Sequence, residues 1–194
     1  MGYVTMKLHY MGKYDLNPES LPSKPHKPKC VRFKEPGNSK KLSIIVSIIS
    51  IPILVISCIP IFLQGYQEAF KAICIGGYFS LLALFPHEIL HALCFKEDVY
   101  LYTNWKQGML FVVGPEDMSK ARFIFMSLLP SIIFSFIPYL VFVINPNLLI
   151  VGAFGAMNMA FGAGDYFNVF NALTQMPKGA RTYLHHFNSY WYMP

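Results

Sequence analysis

A chain of 194 residues that is 54% hydrophobic, 16% aromatic and only 13% charged is too apolar for an ordinary water-soluble domain. Its formal charge of +6 does not point to nucleic acid: nine of the 16 Lys and Arg lie in the first 41 residues, just before the first apolar run, where anionic lipid and the positive-inside bias account for them. Composition argues against a soluble enzyme or a nucleic-acid partner and for a multi-pass protein whose first partner is the lipid bilayer.

Residues 1–41 are polar, basic and rich in proline, as in Pro22-Ser23-Lys24-Pro25, and predict an extended cytosolic arm. The first apolar run starts too late and is too long for a cleaved leader. Spans are expected at residues 42–63, 70–95, 121–144 and 148–173, so residues 42–194 form one membrane-embedded domain. Between the second and third spans, Val99-Tyr100-Leu101-Tyr102 and Met109-Leu110-Phe111-Val112-Val113 flank a glycine-containing turn and predict a short cytosolic β-hairpin. The expected fold is therefore an all-α membrane protein of four transmembrane helices with one hairpin. The aromatic tail from Thr174 to Pro194 reads as an interfacial segment. Lys and Arg number nine on the arm, four in residues 96–122 and two in the tail, with Lys71 alone at the opposite end, so both termini are expected in the cytosol of a cell-membrane protein. Cys30, Cys58, Cys74 and Cys94 have no CxxC spacing and predict reduced bystanders, although Cys94 shares a helix face with the histidines described next.

The second span contains His87-Glu88-Ile89-Leu90-His91. Positions four apart lie one helical turn above each other, so His87 and His91 can present two imidazoles to one metal ion. Glu88 is rotated to the side, where its carboxylate can act as a general base in metal-assisted hydrolysis. The bland alternative is a pair of structural histidines. A third protein ligand is needed for a catalytic metal, and Asp165, a lone carboxylate in the fourth span, is the candidate. His87 and Asp165 each lie 17 residues after the expected start of their spans, ~25 Å along helices that run the same way. Gly152, Ala156, Ala160 and Gly164 form a small-residue stripe that permits close helix approach, and Asn158 precedes Asp165 by seven, so it could orient a ligand or hold a substrate carbonyl. Pro86 removes a helix bond to Leu82 and could loosen the turn beside the motif. His185 and His186 read as surface residues of the tail.

These residues, together with Phe111-Val112-Val113-Gly114-Pro115, Leu128-Leu129-Pro130, Gly164-Asp165 and Met176-Pro177-Lys178-Gly179-Ala180, resemble the small zincin peptidases of the DUF3267 family over about residues 70–192. Those proteins are in turn similar to site-2 proteases, intramembrane zinc metalloproteases with H-E-x-x-H on one membrane helix and an Asp ligand on another. The resemblance implies one Zn2+ per chain held by His87, His91 and Asp165, with Glu88 as catalytic base. It departs at Gly164-Asp165-Tyr166, where the longer site-2 proteases have Leu-Asp-Gly, and there is no PDZ-like insertion. The expected function is an intramembrane zinc metalloprotease acting on membrane protein or peptide substrates near the cytosolic face; the alternative is a non-catalytic metal-binding membrane module or adaptor. A divalent-metal carrier fits poorly, because the chain has neither an inverted repeat nor a second relay of intramembrane charges.

Overall fold

The computed structural model describes residues 7–194. Helix α1 covers Ser39–Phe62 and starts where the Asn38 side chain accepts the Lys41 amide at 2.9 Å, satisfying one of the orphan donors of the first turn. Beyond that cap, Ile48, Ile51, Val55 and Ile59 stay exposed on the outer surface, as side chains that meet lipid rather than water do. Gly65, at φ +120°, turns the chain in a conformation that residues with a Cβ rarely adopt. Helix α2, Tyr66–Leu93, follows and runs without interruption through Pro86. One of its faces is small and buried: Ala69, Ala72, Gly76, Ser80 and Ala83 recur every three or four positions and lead into the motif.

The third apolar run is helix α3, Lys120–Ser131, a π-helical turn at Ile132–Phe136, and helix α4, Ile137–Ile144. Pro138 offers no amide hydrogen to the turn before it, and the widened backbone lies close to the next helix, where a Cβ on Gly155 would come within 2.9 Å of the Ser135 carbonyl oxygen. The expected fourth span is two helices, α5 at Leu149–Phe161 and α6 at Ala163–Gln175, separated at Gly162. A Cβ there would meet Ser131 Oγ at 2.6 Å, so the serine would have to shift to admit one. Among the described residues three helices are long and apolar enough to cross a membrane, Lys40–Phe62, Tyr66–Leu93 and Lys120–Ile144, and the broken α5–α6 pair is not one of them.

The hairpin between the second and third spans is present as β3, Val99–Asn104, antiparallel to β4, Met109–Val113. The all-α expectation is corrected, however, because the fold is mixed α/β. The arm contributes β1, Leu8–Lys13, which pairs in parallel with β3 to give a sheet of order β1-β3-β4. It also contributes β2, Val31–Arg32, to a second sheet of order β2-β7-β6-β5, made with β5 at Met118–Ser119, β6 at Arg181–His185 and β7 at Asn188–Tyr192. The tail carries a hairpin, and much of the arm is anchored by strand pairing rather than free. These pairings join residues far apart in sequence, which no local periodicity reveals. Ile61, Ala69, Ala72, Phe142, Ala153 and Ala156 form the core where α1, α2, α4 and α5 meet, while Tyr14, Leu21, Tyr102 and Val113 knit the arm to the first sheet.

Candidate metal centre

The small face of α2 lets α5 approach closely: a Cβ on Gly76 would lie 2.7 Å from the Phe154 amide nitrogen. Further along, Asn158 Nδ2 donates to Ser80 Oγ at 2.9 Å, and beyond that His87 meets Asp165. Both of these pairs are 78 residues apart in sequence. A constant offset means that α2 and the α5–α6 pair run parallel with the same rise, which is what brings two distant polar groups to one depth.

Three side chains meet there. His87 Nε2 lies 3.2 Å from Asp165 Oδ2 and 3.1 Å from His91 Nε2, and His91 Nε2 lies 3.3 Å from Asp165 Oδ1. A tetrahedral zinc with bonds of about 2.05 Å would separate its nitrogen and oxygen ligands by about 3.3 Å, so this triangle has the size of one face of such a site. The donor chemistry agrees. His91 Nδ1 is 2.9 Å from the Met126 carbonyl oxygen, which can only accept, so a ring hydrogen belongs on Nδ1, and in the neutral ring the Nε2 lone pair is the one turned toward Asp165. Groups converging at this distance in a protein interior share protons among themselves or hold a cation between them, and two imidazoles with a carboxylate are a donor set that fits zinc. The three side chains are only 9–14% exposed, so water offers little of that compensation.

Glu88 sits one position after His87, turned by about 100° around the helix. Its Oε2 accepts the Val112 amide of β4 at 3.0 Å. The ligand atoms of His87, Glu88 and His91 all lie within 4.8 Å of one another, so either carboxylate could complete a site. Asp165 touches both imidazole nitrogens, whereas Glu88 has one oxygen committed to the strand. The cavity around them, about 280 Å³, is also lined by Phe95, Val112, Met126 and Asn168.

An ionic clamp fixes the end of α2 just past His91. Arg122 donates from Nε and Nη2 to the Cys94 carbonyl at 2.9 and 2.6 Å and from Nη1 to Glu116, whose other oxygen takes the amides of Lys96 and Glu97 at 2.6 and 3.0 Å. Burial pushes the Glu116 carboxyl up, but the Arg122 hydrogen bond and the two amides outweigh it and hold its pKa below the ordinary value.

The other residues singled out in the sequence lie elsewhere. Asn158 is buried between α2 and α5, with Nδ2 shared between Ser80 Oγ and the Phe154 carbonyl, and it does not line the metal cavity. Cys94 Sγ points back to the Leu90 carbonyl. His185 and His186 belong to the β6–β7 hairpin, facing the Lys24 carbonyl and Glu19 respectively. Of the small-residue stripe, Gly152 faces Phe142 of α4 rather than α2, and Ala153 makes the α2 contact instead. Sequence reasoning passed over Asn168, which lines the cavity three residues after Asp165; that i,i+3 spacing on a helix is the signal that would have found it.

No curated protein and no solved structure matches the chain. The model of the DUF3267 family, whose description reads "Putative zincin peptidase", matches residues 80–181, a stretch that begins at Ser80 and takes in α2's motif, both β3 and β4, and Asp165. With more than half of its length covered, the chain belongs to the DUF3267 zincin peptidase family.

Proposed function

We propose that the protein is an intramembrane zinc metalloprotease that hydrolyses peptide bonds of membrane-associated substrates near the cytosolic face. The observation that carries this reading is the triangle of His87, His91 and Asp165 with a second carboxylate, Glu88, beside it and not part of it. His87 Nε2, His91 Nε2 and an oxygen of Asp165 would hold one zinc ion. Bound there, zinc would polarise the scissile carbonyl and acidify the attacking water. Glu88 takes the proton of that water on its free oxygen and passes it to the departing amine, so the carboxylate cycles and ends as it began. The Val112 amide keeps Glu88 aimed by occupying its other oxygen. Met126 fixes the His91 tautomer through its carbonyl. A helical substrate has few free carbonyls, so it must unwind before attack, and an extended stretch can then pair with the open edge of β4, since the sheet order leaves β3 on its other side.

Elemental analysis of the purified protein, its His87→Ala and Asp165→Ala variants and Glu88→Gln tests this. The expected result is about one zinc per chain in wild type and in Glu88→Gln, with loss in the other two, and cleavage of a membrane-tethered reporter reduced roughly 10²-fold or more by Glu88→Gln. Zinc retention with equal cleavage by wild type and Glu88→Gln would leave a metal-binding module without chemistry.

A further inference from the structure

Beside the metal cavity lies a larger one, of about 510 Å³, that shares Phe95, Phe111, Val112, Met126 and Asn168 with it. Its size is that of sites enclosing small organic groups. The walls include β4, Phe123 of α3, Phe167 of α6, and Leu42 and Val46 in the first turns of α1. The anchored arm and the tail hairpin supply Leu21, Leu184 and Phe187. Two acidic residues also line it, Glu35, whose carboxylate accepts the Ser189 amide, and Glu116, whose oxygens are held by Arg122 and the amides of Lys96 and Glu97, while the lining His186 is paired with Glu19; the rest of the surface is mainly apolar.

One more feature ties the two cavities together. The Val112 amide points away from β3 toward Glu88, and because backbone groups alternate along a strand, the amide and carbonyl of Leu110 share that outward side. Among the described residues no strand pairs with this edge of β4, and apart from the Val112 amide, taken by Glu88, it runs open from the candidate base into the apolar cavity. A peptide extended along it would set its backbone beside Glu88 and alternate side chains against Phe123, Phe167 and Leu184.

Resting on the hydrolytic reading, we infer that the two cavities are one substrate cleft and that the larger is a side-chain subsite, selecting extended peptides with large apolar residues flanking the scissile bond and rejecting acidic ones. Apolar side chains gain by leaving water, whereas an acidic one would meet Glu35 and lose its solvation.

The test uses full-length Glu88→Gln protein in phosphatidylcholine nanodiscs and a short Gly/Ser/Lys peptide carrying one benzoylphenylalanine, photo-crosslinked and mapped by mass spectrometry. Adducts are expected on Met109, Phe123 or Leu184. Their yield should fall about tenfold or more in Val46→Trp and Leu42→Trp, which fill the cavity from α1, and on competition with a Phe peptide but not an Asp peptide. Zinc content in both Trp variants serves as the control for folding. Adducts confined to lipid or to lipid-facing Ile48 and Val55, or yields unchanged in both Trp variants, would overturn the subsite. Cavity adducts with no Glu88-dependent cleavage of the Phe peptide by wild type would retain the peptide cleft and remove the hydrolytic reading. Glu88-dependent cleavage indifferent to Phe, Ser or Asp would do the reverse.

Discussion

Asn158 shows how a single polar side chain near a site acquires its role. It lies on the face of α5 that the sequence linked to Asp165, yet its amide is spent on Ser80 and on the Phe154 carbonyl. Its work is to tie α2 to α5. Replacing it with Ala should cost about 1 kcal/mol of stability, measurable by thermal unfolding in detergent, because Ser80 Oγ still has the Gly76 carbonyl as a partner. Zinc content should stay at the wild-type level. A wild-type melting temperature combined with a tenfold loss of cleavage would instead return Asn158 to the chemistry. The histidine pair was legible from residues alone, since i,i+4 spacing fixes a shared helix face whatever the tertiary structure. Asn158 was not, because spacing says which face a side chain occupies and nothing about which neighbour claims its hydrogen bonds.

Helices and strands differed in how far they could be read. Long apolar runs are reported by composition, so α1, α2 and the α3–α4 segment stand close to where they were expected. The hairpin β3–β4 is local and alternates, and it too was visible. The arm strands were hidden, since β1 takes its partner 91 residues away and its own sequence mixes Lys, His and Tyr. The break at Gly162 was hidden as well, because an apolar glycine-rich run looks continuous until Ser131 and Tyr166 are seen to press on it. Between α2 and α5 the critical position is Gly76, whose added Cβ would meet the Ala153 Cβ at 2.8 Å and the Phe154 amide nitrogen at 2.7 Å. The obstacle is largely backbone and cannot rotate away. Gly76→Val should therefore push the helices apart, cost on the order of 1–3 kcal/mol, and weaken zinc binding by widening the His87–Asp165 gap, which a metal-competition titration against a chelating dye would read. Unchanged zinc affinity would show that the site is held together independently of helix contact.

The whole molecule combines a membrane bundle with two small sheets, and acidic clamps join them. Glu116 connects the end of α2 to α3, and Asp117 connects β6 and β7 to the same loop through Arg181 and the Tyr192 hydroxyl. For Asp117, burial pushes the carboxyl up, but the Tyr192 and Arg181 hydrogen bonds more than offset it, so its pKa, like that of Glu116, lies below the ordinary value. The unfolded chain then binds protons more readily than the folded one as acid is added. The stabilisation is fully present above the ordinary carboxylate pKa of about 4 and is lost as pH falls through the folded values. The melting temperature should be flat from neutral pH to about 5 and drop below about 4. Glu116→Gln should lower it at pH 7 and flatten that acid limb. A parallel downward shift of the whole profile, with the acid limb equally steep, would assign the fall to other groups.

The constant offset of 78 between α2 and the α5–α6 pair has a consequence for how the chain assembles. Two smooth helices can slide, and a slip of one turn moves a side chain by about 5.4 Å, far enough to take Asp165 out of reach of both histidines. A metal held by these three side chains, as proposed, would bind well in one register only and by mass action would favour that register over its slipped neighbours. On the proposed reading, zinc would act as a proofreader of assembly: a misaligned bundle would bind the ion poorly, so possession of the metal would certify that the helices were put together correctly.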